Sequence, residues 1–380
     1  MTASKQTLNF DIDALLADRD THIVVCCGSG GVGKTTTSAA LALRAAEQGR
    51  KVVVLTIDPA RRLAQSMGIE QLDNTPRRVP LSDAAGSLEA MMLDMKRTFD
   101  EVVLAQAAPD KAQLILSNPF YVALSSSFAG TQEYMAMEKL GQLYAEAQEH
   151  GTYDLIVVDT PPSRSALDFL DAPERLSSFL DGKFVRLMLA PARGPARLVS
   201  AGLGIVTNAL TKMIGAQFLK DLQTFITAIE TVFGGGFRVR AQQTYSLLQA
   251  RQTAFVVVAA PEPDALREAA YFVDRLAADR MPLRGLVVNR ATIAHPAGLS
   301  AAAATAAAER LRASKDELTA GLLDLHASRA IVADRQAALR RRFASAHPTV
   351  PTVVVPALAG DVHDLDGLRQ VGELMAQAEA

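Results

Sequence analysis

Short runs of consecutive apolar, largely β-branched residues recur along the chain, each followed by a stretch with helical spacing. They fall at residues 22–27 (HIVVCC), 51–57 (KVVVLTI), 87–93, 153–158 (YDLIVV), 254–260 (AFVVVAA), 283–289 (LRGLVVN) and 351–355 (PTVVV). Strands that alternate with helices build βα units and a parallel sheet. Several runs are apolar at successive rather than alternate positions, as strands covered on both faces require. The predicted fold class is α/β, a mostly parallel, doubly wound sheet. Ligands in such sheets sit at the carboxyl ends of the strands, where Asp58, Asp159 and Asn289 fall.

Two intervals carry no strand pattern. Residues 95–150 and 165–250 read as helices, and together they predict a helical subdomain inserted into one domain of residues 1–380. Within the second interval, residues 196–233 are rich in Leu, Ile, Val, Phe and Met at helical spacing, broken by Gly202, Gly204 and Gly215. Such a segment either packs its own helical core or opens as an apolar groove using adaptable Met and Phe contacts. Residues 297–345 form a further stretch, rich in Ala and charge, with the pattern of a helical hairpin.

Composition narrows the function classes. The chain has 380 residues and a formal net charge of −2, so no global field favours nucleic acid or anionic lipid. Arg61-Arg62 and Arg340-Arg341-Arg342 are small basic groups without interleaved aromatics and read as solvated helix faces. The only cysteines are Cys26 and Cys27. Adjacent strand residues point to opposite faces, so they read as core residues rather than a redox pair. A disulfide framework, a C-x-x-C zinc clasp and a cysteine-ligated cluster are thereby excluded. The N-terminus does not read as a secretory signal, and no stretch approaches the roughly 18–20 apolar residues of a membrane span. A soluble, cytoplasmic protein without nucleic-acid or membrane-spanning segments is expected.

The chemistry concentrates in GSGGVGKTTT, residues 28–37, between the first strand and a helix. Strand, glycine loop and helix are the context a phosphate-binding loop requires. Glycines let the backbone turn its N–H groups inward, where they join the positive end of the helix in a cradle for the β-phosphate. The expected ATP-binding residues are Gly30, Gly31, Val32, Gly33, Lys34, Thr35 and Thr36. Lys34 would reach the β- and γ-phosphates, and the Thr35 hydroxyl would ligate Mg²⁺. An ordinary glycine turn before a helix has no need of a terminal Lys-Thr pair.

The two glycines before Val32 resemble the deviant Walker A loop of dimeric ATPases, among them the ArsA/Get-type family, ParA/MinD partition proteins and the nitrogenase iron protein. In that group a lysine usually precedes the paired glycines and reaches across the dimer to the partner's nucleotide. Here the residue is Ser29, which carries no charge. Residues 58–60 (DPA) resemble the family's switch I. The resemblance implies that Asp58 orients the attacking water and contacts the magnesium shell, although an Asp-Pro pair also serves as a turn or helix cap. The strand ending in Asp159 resembles a Walker B segment, which implies a magnesium ligand. The following Thr160-Pro161-Pro162-Ser163 resembles switch II.

Where the family has Gly-His in that switch, this chain has Arg164 and Ser165. Arg164 reads either as a solvated cation at a helix start or as an arginine finger supplying the charge that Ser29 lacks. Asn289 and Pro356 occupy the places that contact adenine in the family, while His363 reads as a surface residue. The resemblance runs from residue 22 to residue 370 and is closest to the bacterial branch with a single ATPase domain. It implies a Mg²⁺-dependent ATPase, a dimer that closes around ATP and opens after hydrolysis, and a client such as a hydrophobic helix, a lipid-like molecule or an anion-transport or other membrane-protein partner. Arsenite is not expected, because the thiolates that would ligate it are missing. Two alternatives stand beside this reading: an ATP-binding subunit that hydrolyses only in a heterodimer with a lysine-bearing paralogous ATPase, and a ParA/MinD-like positioning ATPase. The non-basic C-terminus disfavours the latter.

Overall fold

The computed structural model describes residues 8–58, 62–82, 84–119, 121–122, 125, 131–161, 235–294 and 298–377. The chain divides into two compact units, Met1–Met92 with Glu146–Leu167 and Leu247–Ala380 forming the first, and Leu93–Ala145 with Asp168–Ser246 forming the second.

The first unit is built on an eight-stranded sheet. Its strands are β1 (Ile23–Cys27), β2 (Lys51–Thr56), β3 (Arg77–Arg78), β4 (Ser87–Met92), β5 (Leu155–Asp159), β6 (Thr253–Ala259), β7 (Leu283–Ala291) and β8 (Thr352–Pro356). They lie in the order β3-β4-β2-β5-β1-β6-β7-β8. All neighbours pair in parallel except β3, a two-residue strand antiparallel to β4. The seven apolar runs named above each become a strand. Only β3 carries no signal, its Arg-Arg being exposed and too short for any period to show.

Around the sheet run α1 (Ile12–Ala17), α2 (Lys34–Glu47), α3 (Arg62–Ser66), α8 (Pro263–Ala278), α9 (Ala301–Ala313), α10 (Glu317–Ala346) and α11 (Leu365–Gln377), while four helices among the described residues lie between α3 and α8 in the chain. Every residue of β1, β5 and β6 is buried, which is why these strands read as unbroken apolar runs. On one face, Val24, Cys26, Val54, Val157 and Val256 meet an alanine-rich stripe of α2 and the apolar side of α11. Small residues along α2 let the helix lie close to the sheet. Cys26 and Cys27 are free and fully buried; burial pushes the Cys26 thiol up to about 12, and neither is a nucleophile in this setting.

One buried cation orders the amino ends of the central strands. Arg50, 1% exposed, donates from Nε to Asp154 Oδ1 at 2.7 Å, from Nη2 to the carbonyls of Thr21 at 2.7 Å and Asp154 at 2.6 Å, and from Nη1 to the carbonyls of Leu16 and Asp18 at 3.1 Å each. All five guanidinium N–H groups are thus used, which only arginine's planar fork can do.

The second unit is helical among its described residues. Its elements are α4 (Met95–Gln106), α5 (Pro109–Leu116), α6 (Thr131–His150) and α7 (Gly235–Gln249), the last two running into the first unit. Asp94 caps α4 through its side chain, and Pro109 stands at the first turn of α5 where its missing N–H costs nothing. Tyr121 packs edge-on against Phe99 with ring centroids 6.5 Å apart and donates its hydroxyl to Asp100 at 2.8 Å. Glu138, nearly buried, accepts from Arg240 at 2.9 Å. Residues 196–233, Arg164 and the rest of the switch II segment beyond Pro161 lie outside the described residues.

Candidate active site

The loop between β1 and α2 has the backbone that its glycines allow. Gly31 and Gly33 have φ of 77° and 92°, in the left-handed region where a side chain is strained. Gly33 is the N-cap of α2 and supplies no side-chain cap, so the first N–H groups of the helix face the loop with the positive end of the macrodipole. Gly30 and Gly31 are exposed at the tip, whereas Val32 is buried beneath it.

Lys34 follows directly. Its Nζ donates to the Ser29 carbonyl at 2.8 Å across the loop, and the residue is 6% exposed. Burial lowers its pKa, with the charges of Asp159 and Asp58 acting the other way. Ser29 itself is 8% exposed. A serine therefore sits tucked into the loop at the position where a dimer-spanning lysine would have to reach outward.

Thr35, Thr56 and Asp159 come together from three elements: the start of α2, the end of β2 and the end of β5. Asp159 Oδ2 accepts from Thr35 Oγ1 at 2.8 Å and from Thr56 Oγ1 at 2.9 Å. The Thr56 hydroxyl in turn accepts from the Asp58 N–H at 3.2 Å, which ties the start of the DPA segment to the end of β5. Asp159 is fully buried, and its second oxygen, Oδ1, has no hydrogen-bond partner among the described residues. Burial pushes its pKa up to about 6 against the opposing pull of the Thr35 and Thr56 hydroxyls and of Lys34. A carboxylate held this way is short of compensating charge. With an orphaned buried oxygen beside a threonine hydroxyl at the mouth of a phosphate loop, the donor set fits a hard divalent cation that keeps several waters and takes few protein ligands. No group of three or more His, Cys, Asp or Glu side chains able to hold a metal occurs among the described residues.

Asn289 does not end its strand as the sequence suggests; β7 continues to Ala291. Its Nδ2 donates to the Val32 carbonyl at 3.0 Å, so its amide is engaged with the phosphate loop. Gly33 makes room for it, since a Cβ there would stand 2.3 Å from Asn289 Nδ2. Pro356 closes β8 opposite Ala291 and lines a cavity of about 790 Å³ with Thr292, Asp334, Arg340 and Leu374. No phosphate-loop residue lines that cavity. Thr36 is half-buried in the first turn of α2, Asp58 is half-buried just past β2, and Arg164 lies outside the described residues.

Sequence reasoning missed Thr56 and Arg290. Thr56 reads as one more β-branched strand residue, and only the sheet order, with β2 beside β5, brings it to Asp159. Arg290 donates from Nη1 to the Gly31 carbonyl at 3.0 Å; nothing in its neighbourhood of the sequence marks it.

A parallel sheet with a glycine loop between its central strand and a helix, and an Asp-terminated strand alongside, defines a P-loop nucleoside triphosphatase. Residues 21–300 match the model of a family described as anion-transporting ATPase. The chain belongs to that family. Among its relatives, the "ATPase ASNA1 homolog" of Cryptosporidium parvum (strain Iowa II) is 27% identical over 69% of this chain. The "ATPase GET3" of Podospora anserina is 26% identical over 78%, and the "ATPase ARSA2" of Chlamydomonas reinhardtii is 30% identical over 69%. The chain spans 63% and 66% of the lengths of the Cryptosporidium and Chlamydomonas relatives and 80% of the Podospora one.

Proposed function

We propose that this protein is a Mg²⁺-dependent cytoplasmic ATPase that closes as a dimer around ATP and opens after hydrolysis, driving a change in a bound client. The observation that carries the reading is Asp159: buried, raised in pKa, with one oxygen bound by Thr35 and Thr56 and the other without a hydrogen-bond partner among the described residues. Backbone N–H groups of Gly30, Gly31, Val32 and Gly33 would bind the β-phosphate, with Thr36 at the α-phosphate side. Lys34 would leave the Ser29 carbonyl for the β- and γ-phosphate oxygens. Thr35 and Asp159 would hold Mg²⁺, Asp58 contributing to its shell. When bound, the cation supplies the positive charge that offsets the charge developing on the β- and γ-phosphate oxygens.

Asp58 would orient the attacking water, and Arg164 would supply a further positive charge to the transferred phosphoryl group. Positioning and charge stabilisation are most of what phosphoryl transfer asks of a protein. Asn289 and Pro356 would flank adenine. The client is taken to be apolar, a hydrophobic helix or lipid-like molecule, handled by the helical unit; no helix of the described residues is long and apolar enough to cross a membrane itself.

A second reading rests on Ser29. A loop without the lysine that reaches the partner's nucleotide is complete only if another charge replaces it, and a lysine-bearing paralogue in a heterodimer would do so. Single-turnover hydrolysis by the isolated chain and by Arg164→Ala separates the two. Arg164→Ala is expected to bind nucleotide and lose turnover; unchanged turnover removes Arg164 from the mechanism, and an inert wild-type chain favours the heterodimer.

A further inference from the structure

Asn289 and Arg290 are neighbours in β7, and in regular strand geometry neighbouring side chains point to opposite faces. Here both reach the same loop. Arg290 has φ of 62°, in the left-handed region that long side chains rarely enter, and the pairing of β7 with β8 shifts register between Val288 and Ala291. That turn lets Arg290 Nη1 donate to the Gly31 carbonyl at 3.0 Å while Asn289 Nδ2 donates to the Val32 carbonyl, also at 3.0 Å. Asn289 Oδ1 accepts the Arg290 N–H at 2.9 Å and holds the turn in place. Backbone strain persists only where its surroundings over-determine it, and it gathers at functional sites.

The two carbonyls held are consecutive. In a trans peptide the N–H of the next residue points opposite to the carbonyl. Fixing the Gly31 and Val32 oxygens toward β7 therefore aims the N–H groups of Val32 and Gly33 away from it. We propose that Asn289 and Arg290 form a two-point clamp that sets the phosphate cradle, with Arg290 the positioning residue for the site that takes the β-phosphate of an adenine nucleotide. The inference rests on the nucleotide-binding reading above. It also gives the Asn289 amide a task within the protein, toward the phosphates, and explains why residue 33 has no side chain. A guanidinium suits the role because it holds a carbonyl while remaining charged at all working pH values.

The test uses the full chain and Mg²⁺ with ADP, comparing wild type, Arg290→Gly and Arg290→Lys by calorimetric titration and by ³¹P NMR of the saturated complex. Glycine relaxes the left-handed backbone, so Arg290→Gly is expected to melt no lower than wild type. Its ADP affinity should fall about tenfold, the size of one charge-assisted hydrogen bond lost. The β-phosphorus resonance should move while the α-phosphorus stays. Arg290→Lys, which still donates to a carbonyl, should return affinity to within about threefold of wild type. The tenfold loss should survive about 0.5 M salt, which screens long-range attraction but not a formed hydrogen bond. Arg290→Gly binding ADP as wild type does, or a loss that vanishes in high salt, overturns the clamp. Wild type failing to bind ADP at all would instead bring down the nucleotide reading beneath it.

Discussion

Asp159 carries an internal conflict that a bound cation would resolve. Folding withdraws its carboxyl from water and raises its pKa to about 6. A folded-state pKa above the unfolded value means that the contribution to stability is complete below about 3.8 and is lost as pH rises through about 6. Above that range the ligand-free protein holds a buried, half-satisfied carboxylate at a cost of roughly 3 kcal/mol. Asp159→Asn is accordingly expected to keep or raise the melting temperature of the ligand-free protein at pH 7.5 while losing Mg²⁺-dependent ADP binding. A lowered melting temperature would show that the carboxylate is structural. The same proton opposes the metal. Affinity for Mg²⁺ with ADP should be level from pH 7 to 8 and fall about tenfold per unit below about pH 6; titration calorimetry from pH 5 to 8 reads this directly, and a flat profile would contradict the assignment.

At the scale of elements, the apolar runs were legible because burial on both faces fills β1, β5 and β6 with consecutive apolar residues, the polar Thr253 and Asp159 standing only at strand ends. The glycine loop was equally legible, since φ of 77° and 92° at Gly31 and Gly33 admits few other residues. Thr56, Arg50 and Arg290 were not. Each works through a partner 100 or more residues away, and a side chain that reaches across the sheet leaves no periodicity behind. Asn289 was marked by the family resemblance and by an expected strand end that the structure moves to Ala291, but its hydrogen bond to the Val32 carbonyl depends on the strand order β1-β6-β7. Arg50 is the sharpest test of this level. Arg50→Met keeps the volume but strips five hydrogen bonds from buried carbonyls and Asp154. It should lower the unfolding free energy by roughly 3–5 kcal/mol in urea, and Arg50→Lys should recover little of it because one ammonium cannot serve four acceptor residues. A loss under about 1 kcal/mol would mean that water replaces the arginine.

At the scale of the molecule, the chain carries the glycine loop with Lys34 and Thr35, and Asp159 at the end of β5, but no lysine at residue 29. If the ATP-bound state is a closed dimer, mass measurement should show the isolated chain near 40.5 kDa without nucleotide or with ADP, and doubled with ATP when hydrolysis is blocked by Asp58→Asn. A chain that stays single under those conditions requires a different partner subunit. The central claim, that these groups hydrolyse ATP, is tested most directly by steady-state ATP hydrolysis of the isolated chain, with Lys34→Ala as the blank. Turnover that requires Mg²⁺ and disappears in Lys34→Ala is the predicted result, and it would mean that another cation performs the task of the absent lysine. Turnover equal in both proteins, or none in wild type even when a lysine-bearing paralogue is supplied, would contradict it.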